Sequence, residues 1–161
     1  MQQIENFLDK EGFAELRKIL LSPQFPWYLQ HGVTYDDDED IQFCHTVYKN
    51  DNFQSSFNLK GLQYFKEKLK ITSLVRAKFN LQTRTEKVVE SKMHTDIYNP
   101  PEGLKTAILY INSNNGYTKF KDTKIQSVAN KMVVFDAKQP HCGATNTCTE
   151  PYRVVFNLNY F

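Results

Sequence analysis

The stretch Leu74-Val75-Arg76-Ala77-Lys78-Phe79-Asn80-Leu81 decides the fold class, because apolar Val75, Ala77, Phe79 and Leu81 alternate with Arg76, Lys78 and Asn80. A period of two belongs to a strand, whose side chains point to opposite faces in turn. Upstream the period is helical. Residues 61–69 place Leu62, Phe65 and Leu69 on one face and predict a short helix. Farther back, Ile4, Phe7, Leu8, Phe13, Leu16, Ile19 and Leu20 predict an amphipathic helix over 4–21, bent near Gly12 and stopped by Ser22-Pro23. Between the two, the aromatic segment Phe25-Pro26-Trp27-Tyr28 cannot be helix or central strand and should pack as irregular structure over the core.

Downstream of Leu81 strand follows strand. Further candidates cover 88–98, 104–111, 117–120, 125–128, 132–135 and 152–161, separated by turn-forming runs such as Asn99-Pro100-Pro101-Glu102-Gly103 and Asn112-Ser113-Asn114-Asn115-Gly116. Seven or so strands preceded by helices imply a mainly β fold, a jelly-roll or sandwich with helices packed on one face. The 161 residues fit one domain, with a helical preface over about 1–70 and a barrel core over about 71–161. Nine tyrosines and twelve phenylalanines suit pleated, half-buried surfaces.

Composition bounds the partners. A net charge of +2 is spread along the chain, so no basic stripe tracks a phosphate backbone, and nucleic acid is neither implied nor excluded. The apolar runs 107–111 and 132–135 are far shorter than the ~20 residues that cross a bilayer. The start Met1-Gln2-Gln3-Ile4-Glu5 is unlike a signal peptide, so a soluble cytoplasmic protein without a membrane partner is expected. Cys44, Cys142 and Cys148 form no CxxC pair and read as reduced thiols. The acidic run in 35–40 fails as a calcium loop, since position six would be Ile41 and position twelve Val47, and reads as a solvated loop.

His94 stands out among the four histidines because Asp96 lies two residues on, on the same face of the predicted strand. His141 follows the 132–135 strand and supplies a third ligand type. Two histidines and one carboxylate fill three positions of an octahedral ion and leave three open, the arrangement of iron(II) oxygenases. Arg153 lies in the strand Tyr152-Arg153-Val154-Val155-Phe156-Asn157-Leu158-Asn159. If it faces inward it needs a partner, and a bidentate carboxylate ligand would serve. If it faces outward it is an edge cation or pairs with Glu150. Both faces of this strand are partly apolar, so periodicity leaves the orientation open.

These segments, with Leu104-Lys105-Thr106-Ala107-Ile108-Leu109-Tyr110-Ile111-Asn112, Asn115-Gly116-Tyr117-Thr118-Lys119-Phe120, Met132-Val133-Val134-Phe135-Asp136 and His141-Cys142-Gly143, resemble the 2-oxoglutarate and iron(II) dependent dioxygenase superfamily in its prolyl 4-hydroxylase-like branch. The resemblance covers roughly 74–161. It implies a double-stranded β-helix, a distorted jelly-roll, with His94, Asp96 and His141 as the catalytic metal ligands. It assigns Arg153 to the distal carboxylate of 2-oxoglutarate and places Tyr110 and Asn157 near that co-substrate. A tyrosine common on the first barrel strand is missing, and Asn80 or Gln82 stands in its place. The implied cofactors are iron(II) and 2-oxoglutarate, with ascorbate as reductant. The implied partners are dioxygen and a peptide or protein substrate, a nucleobase or small metabolite being the other choice. The rim loops expected to select it span 30–52 and 87–91. A cupin-like metal site without 2-oxoglutarate, or a binding module with incidental histidines, are the competing readings, and both leave Arg153 unexplained. Cys142, next to His141, should be a packed thiol.

Overall fold

The computed structural model describes residues 1–32, 41–55 and 59–161. Eleven strands and two helices occur among them: β1 (Gln2–Ile4), α1 (Lys10–Leu20), β2 (Tyr28–His31), β3 (Ile41–Lys49), β4 (Asn52–Phe53), α2 (Leu59–Leu69), β5 (Leu74–Thr83), β6 (Lys105–Tyr110), β7 (Tyr117–Lys119), β8 (Lys124–Gln126), β9 (Met132–Asp136), β10 (Cys142–Ala144) and β11 (Tyr152–Tyr160). The large sheet runs β1-β9-β6-β11-β5-β3-β2, with β4 paired to β3, and the small sheet runs β10-β7-β8. Every strand pairing is antiparallel.

The large sheet is covered on both faces. On β11, Val154, Phe156, Leu158 and Tyr160 join Ala77 and Phe79 of β5 and Ala107 and Leu109 of β6 in a core completed by Leu16 and Leu20 of α1 and Leu62 and Phe65 of α2. Phe156 stacks on Phe79 with ring centroids 4.1 Å apart and meets Phe65 edge-on. Burying each such ring stabilises the fold by about 1.5–3 kcal/mol. On the opposite face, Ile108, Tyr110, Val133, Phe135 and Val155 pack against Ile125 of β8 and Phe120, which follows β7. Two antiparallel sheets folded over one another in this way are a double-stranded β-helix.

The N-terminal region departs from the helix expected over 4–21. Asp9 caps α1, its Oδ1 accepting from the Gly12 backbone N–H at 2.8 Å, so the helix begins only at Lys10. Ile4 belongs to β1, and Phe7 and Leu8 are held by Asn130 in the turn before β9. Its side chain accepts from the Leu8 N–H and donates to the Leu8 carbonyl, both at 2.8 Å, while its own carbonyl accepts from Phe7. Periodicity cannot separate buried turn residues from a helix face when both are apolar.

A second correction concerns 30–52, expected to be rim loops. Ile41–Lys49 is β3, paired with β2 on one side and β5 on the other. Residues 24–27 are irregular as expected, with Phe25 buried, but Tyr28 opens β2 at the sheet edge. The acidic run in 35–40 lies outside the described residues. The three cysteines carry no disulfide.

Candidate metal centre

The segment 88–98 is not a strand. Its only β-type pairings among the described residues are two isolated antiparallel bridges, Glu90 to Ala144 and His94 to His141. Val88, Val89, Met93 and Tyr98 are exposed, so no apolar face holds the segment to a sheet. The expected convergence of His94 and Asp96 still occurs, by another route. The bridge sets His94 beside His141, and the bend after it turns Asp96 towards both.

One ligand atom from each of His94, Asp96 and His141 lies within 4.8 Å of the others. His94 Nδ1 donates to the Lys92 carbonyl at 2.9 Å, which fixes the tautomer and leaves Nε2 as the ligand nitrogen. His141 directs Nδ1 towards the Gln139 carbonyl at 3.4 Å, and its Nε2 stands 3.8 Å from Asp96 Oδ2. Burial, helped by nearby His94, pushes the His141 pKa down against the pull of Asp96, so the ring is neutral and able to ligate.

Asp96 is gripped from three sides. Arg76 Nη2 donates to Oδ1 at 2.7 Å, Asn157 Nδ2 donates to both oxygens at 3.0 and 3.1 Å, and Asn159 Nδ2 donates to Oδ2 at 3.3 Å. Burial alone would raise its pKa. The Arg76 charge, the two histidines and the Asn157 hydrogen bond outweigh that and hold the carboxyl well below the usual carboxylate range.

The same cavity runs along β5 past Arg76, Lys78, Asn80 and Gln82 to Arg153. Arg153 is buried and faces inward on the same side of β11 as Val155 and Asn157, which settles its orientation. Its Nε donates to Ser127 Oγ at 2.8 Å, Nη2 to Thr118 Oγ1 at 3.0 Å and Nη1 to Gln82 Oε1 at 3.2 Å. All three partners are neutral. Glu150 instead accepts from Asn112, at 3.4 Å. A buried guanidinium without a counter-charge is costly, and an anionic ligand removes the cost. One glycine leaves it room: a Cβ on Gly116 would lie 2.8 Å from Arg153 Cδ.

Tyr110 sits behind this wall rather than in it. Its hydroxyl donates to Thr118 Oγ1 at 2.8 Å, burial pushes its pKa up, and its ring lies 5.6 Å from the Arg153 guanidinium carbon. Asn80 and Asn157 both line the cavity, and each has a buried Oδ1 with no hydrogen-bond partner. Such orphaned acceptors, with two imidazoles, one carboxylate and the Arg153 charge, fit a divalent metal together with an anionic chelator. Cys142 is a packed thiol whose pKa burial raises. Sequence reasoning named Gln82 beside Asn80 but missed Arg76, Asn159, Thr118 and Ser127 as supports. Arg76 shares the polar face of β5 with Asn80 and Gln82, so alternation alone could have found it.

No family model and no curated protein matches the chain. Solved structures do. The chain is similar to an oxidoreductase of the 2OG-Fe(II) oxygenase family from Burkholderia pseudomallei at TM-score 0.66 and 9% identity, over 98% of this chain and 83% of that one. It is similar to a Trichoplax adhaerens prolyl hydroxylase, solved with a hypoxia inducible factor peptide, at TM-score 0.66 and 13% identity, over 99% and 82%. The alpha ketoglutarate dependent carbocyclase SnoK from nogalamycin biosynthesis gives TM-score 0.69 and 10% identity, over 98% and 78%. At these identities the shared property is the double-stranded β-helix fold.

Proposed function

We propose that the chain is a non-haem iron(II) oxygenase that uses 2-oxoglutarate to hydroxylate a C–H bond, with a peptide or protein as substrate. One observation carries the reading: a buried arginine with only neutral partners ends the same cavity that begins with two histidines and a carboxylate. His94, Asp96 and His141 would hold the metal, and Arg153 the distal carboxylate of 2-oxoglutarate. When bound, iron(II) and 2-oxoglutarate supply the oxidising chemistry with dioxygen. The protein's own groups orient and protect. Arg76, Asn157 and Asn159 fix the Asp96 carboxylate, the Lys92 carbonyl fixes the His94 ring, and Ile108 and Val155 keep one wall apolar. A peptide substrate is supported by the prolyl hydroxylase likeness in fold.

Anaerobic titration with iron(II) followed by 2-oxoglutarate tests the reading. The weak visible charge-transfer band of the chelate is expected, and lost in Asp96→Ala. Folded protein that gives no band refutes 2-oxoglutarate use and leaves a cupin-like site or a binding module.

A further inference from the structure

Beside the metal centre, where β3 and β5 adjoin, three cations share one face. Arg76 and Lys78 are two apart on β5, and Lys49 on β3 is the direct cross-strand partner of Arg76. Like charges placed opposite one another destabilise a sheet. Lys78 is half-buried, and burial pushes its pKa down, with Arg76 and Lys49 adding to the effect and Cys44 and Asp96 opposing it. Its ammonium donates to the neutral Gln30 amide oxygen at 2.6 Å. Asp96 is the one carboxylate among the described residues lining this groove, and Arg76, Asn157 and Asn159 already hold it. With Arg76 paired to Asp96, Lys78 and the exposed Lys49 meet no other carboxylate among the described residues of the groove, and an anionic ligand there would be attracted to both.

We infer that this groove, lined by Gln30, Thr46, Lys49, Arg76 and Lys78, is a subsite for an anionic group on the substrate, a carboxylate or phosphate, docked on Lys78 beside His94 and Asp96. The word substrate rests on the oxygenase reading, and the basic subsite itself does not. It is separate from the anion site at Arg153, because Lys78 and Gln82, the Arg153 partner, are four residues apart on one strand, about 13 Å. A substrate lying between the two would bring a bond close to its negative group past the metal ligands.

Calorimetric titration of the full chain tests this with three probes: inorganic phosphate, the blocked tripeptide Ala-Asp-Ala, and its Ala-Asn-Ala counterpart. Phosphate or the aspartyl peptide is expected to bind, and the asparaginyl peptide not. Lys78→Met and Lys49→Met should each weaken binding about tenfold, the scale of one charge-assisted hydrogen bond. Lys78→Arg should retain binding, and Arg153→Met should leave it unchanged. Phosphate binding alone assigns a phosphate group, and peptide binding alone a carboxylate. Binding by neither probe, equal binding to both lysine variants and wild type, or loss of binding in Arg153→Met overturns the subsite. A chelate band without anion binding defeats the subsite alone. Lysine-dependent anion binding without a chelate band leaves the subsite standing and defeats the oxygenase reading.

Discussion

His94 and His141 exchange both backbone hydrogen bonds, each at 2.9 Å, and their rings lie 5.0 Å apart. In an antiparallel pair bonded this way the two side chains project to the same side. The imidazoles are therefore brought together by main chain and oriented by the Lys92 and Gln139 carbonyls, whereas the Asp96 carboxylate is held by side chains. That division says where the centre is vulnerable.

Asn157→Ala removes the amide that bridges both Asp96 oxygens while leaving the His94–His141 pair intact. Metal affinity should fall about 10- to 100-fold, measured by competition with a metal-sensitive dye. Unchanged affinity would show that Arg76 and Asn159 suffice.

Arg153→Met should separate binding from stability. Removing the uncompensated buried charge relieves its desolvation cost while leaving the Ser127, Thr118 and Gln82 oxygens without their donor, so the melting temperature should change little. Affinity for 2-oxoglutarate should drop at least about tenfold. Calorimetry and thermal unfolding on the same sample check both halves.

Gly116→Ala crowds the site from its far side. The added methyl would stand 2.8 Å from both Arg153 Cδ and the Ala144 carbonyl. Overpacking of this kind costs about 1–3 kcal/mol. Weaker 2-oxoglutarate binding should accompany the loss, because Arg153 must shift.

Glu90 ties the histidine-bearing segment to the small sheet through Lys119, Tyr117 and Lys124. These partners, Lys119 foremost, lower its carboxyl from 4.5 to about 2. A depressed acid stabilises the fold fully above its unfolded value, and that contribution disappears as pH falls from about 4.5 through about 2. Glu90→Gln should lower stability at neutral pH by no more than about 1 kcal/mol. Its urea midpoint should also fall less steeply than wild type across that acid range.

Much of this was legible beforehand because the informative strands are regular. β5 carries its apolar residues on a period of two, β6, β9 and β11 are short apolar, β-branched runs bounded by turns, and all four appear within a few residues of the expected positions. β3 was not legible. Gln42, Cys44 and Thr46 on one side and His45 on the other blur its alternation, since one of its faces adjoins the polar groove. The three candidate ligands, which the structure brings within reach of one another, were picked out from residue type and spacing, although the strand invoked to align His94 with Asp96 is only a single bridge. Their supports were harder to see. Arg76 is near Asp96 because β5 neighbours β11, and Asn157 and Asn159 of β11 reach the same carboxylate.

β11 lies between β6 and β5, and without it the rest of the large sheet is two separate ribbons, β1-β9-β6 and β5-β3-β2. It also follows both ribbons in chain order and brings Arg153, Asn157 and Asn159 with it. During synthesis the two halves thus wait, each with an open edge, until this strand leaves the ribosome and is threaded between them. Closing the sheet and completing the cavity are then a single event: a nascent chain halted before residue 152 carries His94, Asp96 and His141 but lacks both the closed sheet and the Asn157 and Asn159 amides that hold the carboxylate.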